Sequence, residues 1–349
     1  MADFTWHDGS PLVAESAETV PALVRYGGPD QAVTVEPYTF LDAPPSGCHC
    51  YYDVFGKAVS RSFTLHGPGS VYKPLADKLI ELLKWPANVP HSEHLVTEHA
   101  GENYHIVVPS LFNLLILLKS QQRDFRVILS TMGNNISAPA EVFECFARHE
   151  HPHFSKKSEG LDLESLRCLD TVDWTLDVRA EDSPSPYVLR YKEDDKPSLE
   201  SENDIYDFLA GSSQACGVRS SFQRWEGEHF LAAAGKRMWL TAEDNVHPLL
   251  FDDNIKRTED SVVAVRARRR RGDRFVTLTC EETQPLHDAM LLQADIIQAI
   301  LNPDYFIDSV AKCEANFDKL MQDQQWRAGL DREQEIRSPV TVAQPRGAA

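Results

Sequence analysis

Two adjacent carboxylates, Asp252 and Asp253, close the apolar run Pro248-Leu249-Leu250-Phe251 and are followed by Asn254. An apolar strand ending in two acids puts negative charge at the carboxyl edge of a parallel sheet, where open α/β folds hold their ligands. Adjacent acids repel each other and stay ionised only beside a cation or hydrogen-bond donors. Mg²⁺ suits them, being a hard ion satisfied by one or two carboxylates plus water. The plainer alternative is a solvated turn carrying two acids. A second set lies upstream, where Phe125 to Leu129 is apolar apart from Arg126 and leads into Ser130-Thr131. Those small hydroxyls can hydrogen-bond a phosphate oxygen. Between the two runs, Gly235-Lys236 places a lysine shortly before the strand that ends in Asp252. A point cation there can neutralise a phosphoryl group or a carboxylate.

For these groups to meet, the apolar runs must be strands of one sheet. Unalternated runs such as Phe125 to Leu129 typify parallel strands covered on both faces. Ile106 to Val108 is expected as a short strand. Pro109 then opens a helix over Ser110 to Ser120, with Leu111, Leu114, Leu115 and Leu118 as its buried stripe. Ser137 is expected to cap a helix over Ala138 to Arg148. Met238 to Thr241, His247 to Phe251, Ser261 to Arg266 and Phe275 to Cys280 read as strands. Asp288 to Leu301 and Pro303 to about Gln325 read as closing helices. Upstream, Cys48 to Val54 and Val59 to Leu65 resemble a hairpin, and Pro74 to Lys84 an amphipathic helix with Leu75, Leu79, Leu82 and Leu83 on one face. Residues 1–46 are expected to be an irregular segment, rich in proline. Residues 47–325 are expected to form one α/β domain, with a polar insertion at about 155–204 that carries strands at Thr171 to Val178 and Tyr187 to Tyr191. Residues 326–349 read as a disordered tail.

The 349 residues are 42% hydrophobic and 25% charged, an ordinary globular composition. A net charge of -18 repels phosphate backbones and anionic lipid, so neither nucleic acid nor membrane is an expected partner. The polar stretch Met1 to Glu15 does not read as a secretory leader, and Ile106 to Leu118, the most apolar stretch, is too short to span a bilayer. Seven scattered cysteines suit reduced thiols, and a cytoplasmic location is expected. The basic run Arg268 to Arg271 reads as a hairpin tip before Gly272-Asp273, with contact to RNA or a phosphorylated partner as the weaker alternative. His149, His151 and His153 read as solvated imidazoles at a helix exit, and Cys48-His49-Cys50 lacks a second ligand pair for zinc. No nucleophile elbow, Walker loop or dinucleotide fingerprint is present.

Strand-hydroxyl, lysine, then strand-Asp-Asp is the chain order of the second, third and fourth motifs of the haloacid-dehalogenase-like (HAD) superfamily, which the chain resembles over roughly residues 100 to 320. It is similar to an uncharacterised HAD-like group in Phe125-Arg126-Val127-Ile128-Leu129-Ser130-Thr131-Met132-Gly133, His151-Pro152, Trp225, Gly235-Lys236, His247 to Ile255 and Ala299 to Ile307. The resemblance implies a three-layer α/β/α sandwich with a mostly parallel sheet plus an inserted lobe. It also implies a Mg²⁺-dependent phosphoric monoester hydrolase acting on a small phosphorylated substrate. Thr131, with Ser130 as alternate, would bind phosphate, Lys236 would steady phosphate and nucleophile, and Asp252 and Asp253 would hold the metal. The family's opening strand, ending in Asp-x-Asp, is missing. Its nearest imitation, Trp6-His7-Asp8-Gly9-Ser10-Pro11-Leu12, sets Asp8 in the acid/base place but Trp6 where the nucleophile belongs. Asp53 lacks the rest of the pattern. Either the chain is a shortened form of a longer protein or it has lost catalysis. Omitting a central strand strands its neighbours' ladder groups, which favours the first. The alternative function is a non-catalytic binding or scaffold protein of the same fold.

Overall fold

The computed structural model describes residues 64–65, 67–133, 136–168, 174–179, 186–192, 198–211, 214–323 and 326, with the backbone of four short strands before residue 51. The chain divides into two units, Met1–Leu82 and Leu83–Ala349. In the first, β1 (Trp6–His7), β2 (Leu23–Tyr26), β3 (Ala32–Val35) and β4 (His49–Cys50) form a sheet in the order β3-β2-β1-β4. There β1 runs parallel to β2, and the other pairs are antiparallel. Helix α1 (Lys73–Leu83) falls where amphipathic spacing put it, but Leu82 of the expected buried stripe is 45% exposed. Outside the described residues lie most of the expected hairpin over 48–65, Asp8, Asp53 and the tail.

The second unit opens with a hairpin that its polar sequence did not announce. Strands β5 (Val96–His99) and β6 (Glu102–His105) pair antiparallel across Ala100 and Gly101, both at positive φ, 53° and 78°. A two-residue turn of that hand matches strand twist, and glycine occupies it at no steric cost. Ile106 to Val108, expected as a strand, is instead the irregular lead into α2 (Pro109–Ser120). This helix starts at its proline, whose missing N–H costs nothing in a first turn. It buries Phe112, Leu114, Leu115 and Leu118. Strand β7 (Ile128–Thr131) begins three residues later than expected. Helix α3 (Ser137–Ala147) has Ile136 at its cap position with no side-chain cap bond, so Ser137 lies inside the first turn and does not cap it. Phe112 packs against Phe146 and Phe154 at ring separations of 4.8 and 4.9 Å and is 1% exposed. Truncating such a ring to alanine costs about 3–5 kcal/mol.

The hairpin of the polar insertion, β8 (Trp174–Val178) and β9 (Tyr187–Tyr191), extends a sheet rather than forming a lobe of its own. After α4 (Glu202–Ala210), capped by the Ser201 hydroxyl accepting from Asp204 N at 3.1 Å, comes β10 (Cys216–Arg219). It pairs parallel with both β7 and β8, giving the order β7-β10-β8-β9. Helix α5 (Phe222–Gly227), capped by Ser221, leads to β11 (Lys236–Thr241). Next come β12 (Leu250–Asp252), β13 (Val263–Arg268), parallel to β11, and β14 (Val276–Thr277), antiparallel to β13.

A capping box joins Thr279 and Glu282 at the start of α6 (Cys280–Thr283). The helix expected over Asp288 to Leu301 is two elements. Residues Leu291–Gln293 are strand β15, parallel to β12, and only Ile296–Leu301 is helix, α7. The apolar run around Leu291 satisfies its backbone against β12, with Leu250 N donating to Met290 O at 2.8 Å and Ala294 N to Asp252 O at 3.1 Å. Helix α8 (Tyr305–Gln322) ends the described part. The architecture is mixed α/β, with parallel pairings wherever β7, β10, β11 or β12 meets the neighbour just named. No helix among the described residues is long and apolar enough to cross a membrane.

Candidate functional site

Strands β7 and β12 point their carboxyl ends at one cavity of about 290 Å³, lined by Ser130, Thr131, Lys236, Asp252, Asp253 and Asn254 among others. All five residues singled out in the sequence meet there. Lys236 holds the arrangement together. Its Nζ donates to Ser130 O at 2.9 Å and to Asp252 Oδ2 at 2.7 Å, with its side chain 9% exposed and that of Asp252 11%. A buried ammonium needs such company, because desolvation without a partner costs several kcal/mol.

The local sequence explains the placement of Lys236. Gly235 lies so close to β13 that a Cβ on it would sit 2.1 Å from Val262 O. The strand can therefore start one residue later, with Lys236 N donating to that same carbonyl at 2.6 Å. The acids are anchored by their own turn. Asn254 N donates to Asp252 Oδ1 at 2.9 Å, and Asn254 Nδ2 to Asp253 Oδ1 at 3.0 Å. Both oxygens of Asp252 are thus engaged, while Asp253 is exposed.

The hydroxyls divide differently from expectation. Ser130 meets Lys236 through its main-chain carbonyl. Thr131 Oγ1 accepts from Gly133 N at 2.9 Å, which fixes the turn and leaves its O–H free to donate. Among the described residues no group of three or more His, Cys, Asp or Glu is arranged to hold a metal. Two carboxylates with water still fit Mg²⁺, which keeps several waters and takes one or two carboxylates. Phe222, which lines the same cavity, had no place in the sequence reading, and Met132 and Trp225, which also line it, entered only as parts of motifs. Trp225 is 8% exposed, and its indole N–H has no partner among the described residues. An aromatic residue on a six-residue helix carries no signal of a cavity wall.

No protein-family model matches the chain, and no curated protein or solved structure is significantly similar to it.

Two other motifs turn out differently. His151, expected to be solvated, is 1% exposed and packs against Phe154, Phe112 and Trp85 at 5.0, 5.3 and 5.5 Å. Its Nδ1 lacks a partner among the described residues. Burial, then repulsion from His105 and His153, pushes its pKa down to about 4, and burial followed by His153 does the same to His105. In the basic run, Arg268 is an inward residue of β13, 2% exposed, so the turn begins at Arg269. Arg269 and Arg270 both pair with Glu243, at 2.9 and 3.0 Å, and Arg271 with Asp207 and Asp244. The charge an RNA contact needs is neutralised locally. The Cys48-His49-Cys50 side chains lie outside the described residues.

Proposed function

We propose that the β7–β12 rim binds a small phosphate monoester together with Mg²⁺, as a HAD-like relative of the phosphoryl hydrolases. One observation carries the reading. A single buried ammonium, Lys236 Nζ, bonds the end of one parallel strand and the first acid of the other. Asp253, with Asp252 beside it, would hold the ion, and the bound ion would supply charge neutralisation for phosphate oxygens. Thr131 O–H donates to an incoming phosphate oxygen, and Lys236 screens its charge against Asp252. Trp225 and Phe222 form the apolar wall that limits water.

Hydrolysis needs a nucleophile, and both oxygens of Asp252 are already engaged. That observation favours a second reading, binding without turnover on the same fold. Mn²⁺ titration followed by electron paramagnetic resonance, with Mn²⁺ standing in for Mg²⁺, tests the metal. The wild-type chain is expected to bind one ion, and Asp253→Asn to weaken it at least about tenfold, the worth of one charged ligand contact. Equal binding by the variant contradicts the site. Release of nitrophenol from p-nitrophenyl phosphate, lost in Asp253→Asn, separates hydrolase from binder.

A further inference from the structure

A second cavity, of about 370 Å³, lies at the carboxyl ends of β8 and β10, with Asp177, Arg179, Arg190, Ser220, Ser221 and Arg224 as the polar part of its wall. Helix α5 presents Phe222 and Trp225 to the rim cavity and Ser221 and Arg224 to this one, because residues three apart share a helix face. The two cavities have no lining residue in common. The carboxyl edge of the parallel strands, where open α/β folds hold their ligands, thus carries a second recess beside the rim.

In a chain of net charge -18, this wall is basic. Asp177 lies 3.2 Å from Arg190 Nε, and Glu200 lies 3.6 Å from Arg179 Nη2. Arg224 has no carboxylate partner among the described residues, and its side chain makes one bond there, from Nη1 to Val178 O at 3.3 Å. Arg237, the second residue of β11, is half-buried and donates to the carbonyls of Ala232, Ala233, Gly235 and Lys236 and to the Tyr187 hydroxyl, but to no acid. Burial pulls its pKa down, and repulsion from Arg224 and Arg266 adds to that. Four guanidiniums against two carboxylates leave a surplus of two positive charges, which a recess concentrates. Ser220 is an independent sign of a ligand. It is 9% exposed and its N–H is spent on Thr131 O at 2.8 Å, yet its hydroxyl, on the cavity wall, has no partner among the described residues. The Ser221 hydroxyl accepts from Arg224 N at 3.1 Å and keeps its own O–H to donate.

We propose that this cavity is a second anion site, which takes the phosphoryl group of a small molecule through guanidinium and hydroxyl donors and without a metal ion. The planar fork of arginine matches phosphate oxygens two at a time. A phosphate monoester carries a charge of about -1.5 to -2 at neutral pH, which meets the surplus of two, whereas a single carboxylate leaves half of it unmet. The volume exceeds that of a phosphoryl group and falls in the range of small-molecule sites, so the remainder of a small ligand fits as well. This holds whether or not the rim binds phosphate.

Inorganic phosphate is titrated into the full chain by calorimetry in the presence of EDTA, so that no metal supports the rim. The wild type is expected to bind phosphate, and Asp253→Asn to bind it equally well. Arg224→Gln is expected to weaken binding at least about tenfold, the worth of one charge-assisted bond, with Arg224→Lys between the two because it keeps the charge and loses the fork. Arg190→Gln, at a side chain 56% exposed, leaves the fold intact and weakens binding too. Acetate is expected to bind at least about tenfold more weakly than phosphate, having one charge to offer. The proposal is overturned if the wild type binds no phosphate, if both arginine variants bind it as the wild type does, if Asp253→Asn loses it as Arg224→Gln does, or if acetate binds as tightly. It is equally overturned if phosphate binds only in a Glu181→Gln, Asp182→Asn double variant, since the chain's own acids then occupy the cavity. The rim is read from the Mg²⁺-dependent part of binding, so either idea can fail alone.

Discussion

Among the described residues two places bury a cation, and they are built differently. Around β13, Arg266 donates from Nε and Nη2 to Glu202 at 2.8 and 2.5 Å, from Nη1 to Thr277 Oγ1 at 2.7 Å and from Nη2 to Phe275 O at 2.9 Å. Arg268 bonds Thr241 and Asn203 and lies 4.4 Å from the centroid of the Phe275 ring. Every side-chain nitrogen of Arg266 has an acceptor, and the Tyr206 and Phe275 rings cover Arg268, so little is left to offer a ligand. At the rim, Lys236 also has its partners, but they are a strand-end carbonyl and an acid whose neighbour, Asp253, is exposed beside a cavity. A saturated buried charge is architecture. One that borders open carboxylate and hydroxyl groups is the start of a site.

The sharpest way to break this contrast is to unpair the closed cluster. Glu202→Ala leaves the Arg266 guanidinium buried without its counter-charge and also removes the acceptor for Trp239 Nε1 at 3.0 Å. A loss of about 3–5 kcal/mol in chemical denaturation is expected, with ligand binding by the surviving folded fraction unchanged. A small loss would mean that the cluster is solvated after all.

A third buried polar group, His151, sharpens the comparison because its Nδ1 has no partner among the described residues. Its folded pKa of about 4 lies below the unfolded value of 6.5, so the unfolded chain takes up a proton that the native state refuses. Its contribution is fully present above pH 6.5 and declines as pH falls toward 4, by about 3 kcal/mol at the lower end. The drop in melting temperature between pH 6.5 and 4.5 is expected to shrink in His151→Phe. Parallel curves for variant and wild type would remove the imidazole from the explanation.

Lys236→Met tests the rim itself. The Asp252 carboxylate loses its counter-charge and keeps the Asn254 N bond, and a loss of about 2 kcal/mol follows, below that at Glu202 because the cavity admits water. Phosphate binding should fall with it, whereas an unchanged phosphate affinity would separate the lysine from any ligand. The smallest effect belongs to the exposed turn. Glu243→Gln removes the charge that pairs with Arg269 and Arg270, and the melting midpoint is expected to stay where it was.

The rim was legible in the sequence because each part sits at the end of an apolar run, where hydrophobicity stops abruptly at Ser130-Thr131 and at Asp252-Asp253. Other parts were not. Leu291–Gln293 is a three-residue strand whose apolar residues also fit a helix, and short apolar runs do not distinguish the two by period. The β5–β6 hairpin is polar and only partly covered, so no alternation marks it. Arg268 read as part of an exposed hairpin tip because charge usually sits at the surface, and the distant Thr241 and Asn203 explain its burial. His151 was misread because its aromatic neighbours Trp85 and Phe112 are far away in sequence.

The central claim is that Asp253 and Lys236 make one rim for metal and phosphate. Isothermal titration of inorganic phosphate into the full chain, with and without Mg²⁺, tests it most directly. Asp253→Asn is the control, since its exposed side chain leaves the fold intact. Phosphate affinity is expected to rise at least about tenfold with Mg²⁺ in the wild type and to ignore Mg²⁺ in the variant. Phosphate binding that is absent, or indifferent to Mg²⁺ in both proteins, would contradict the account.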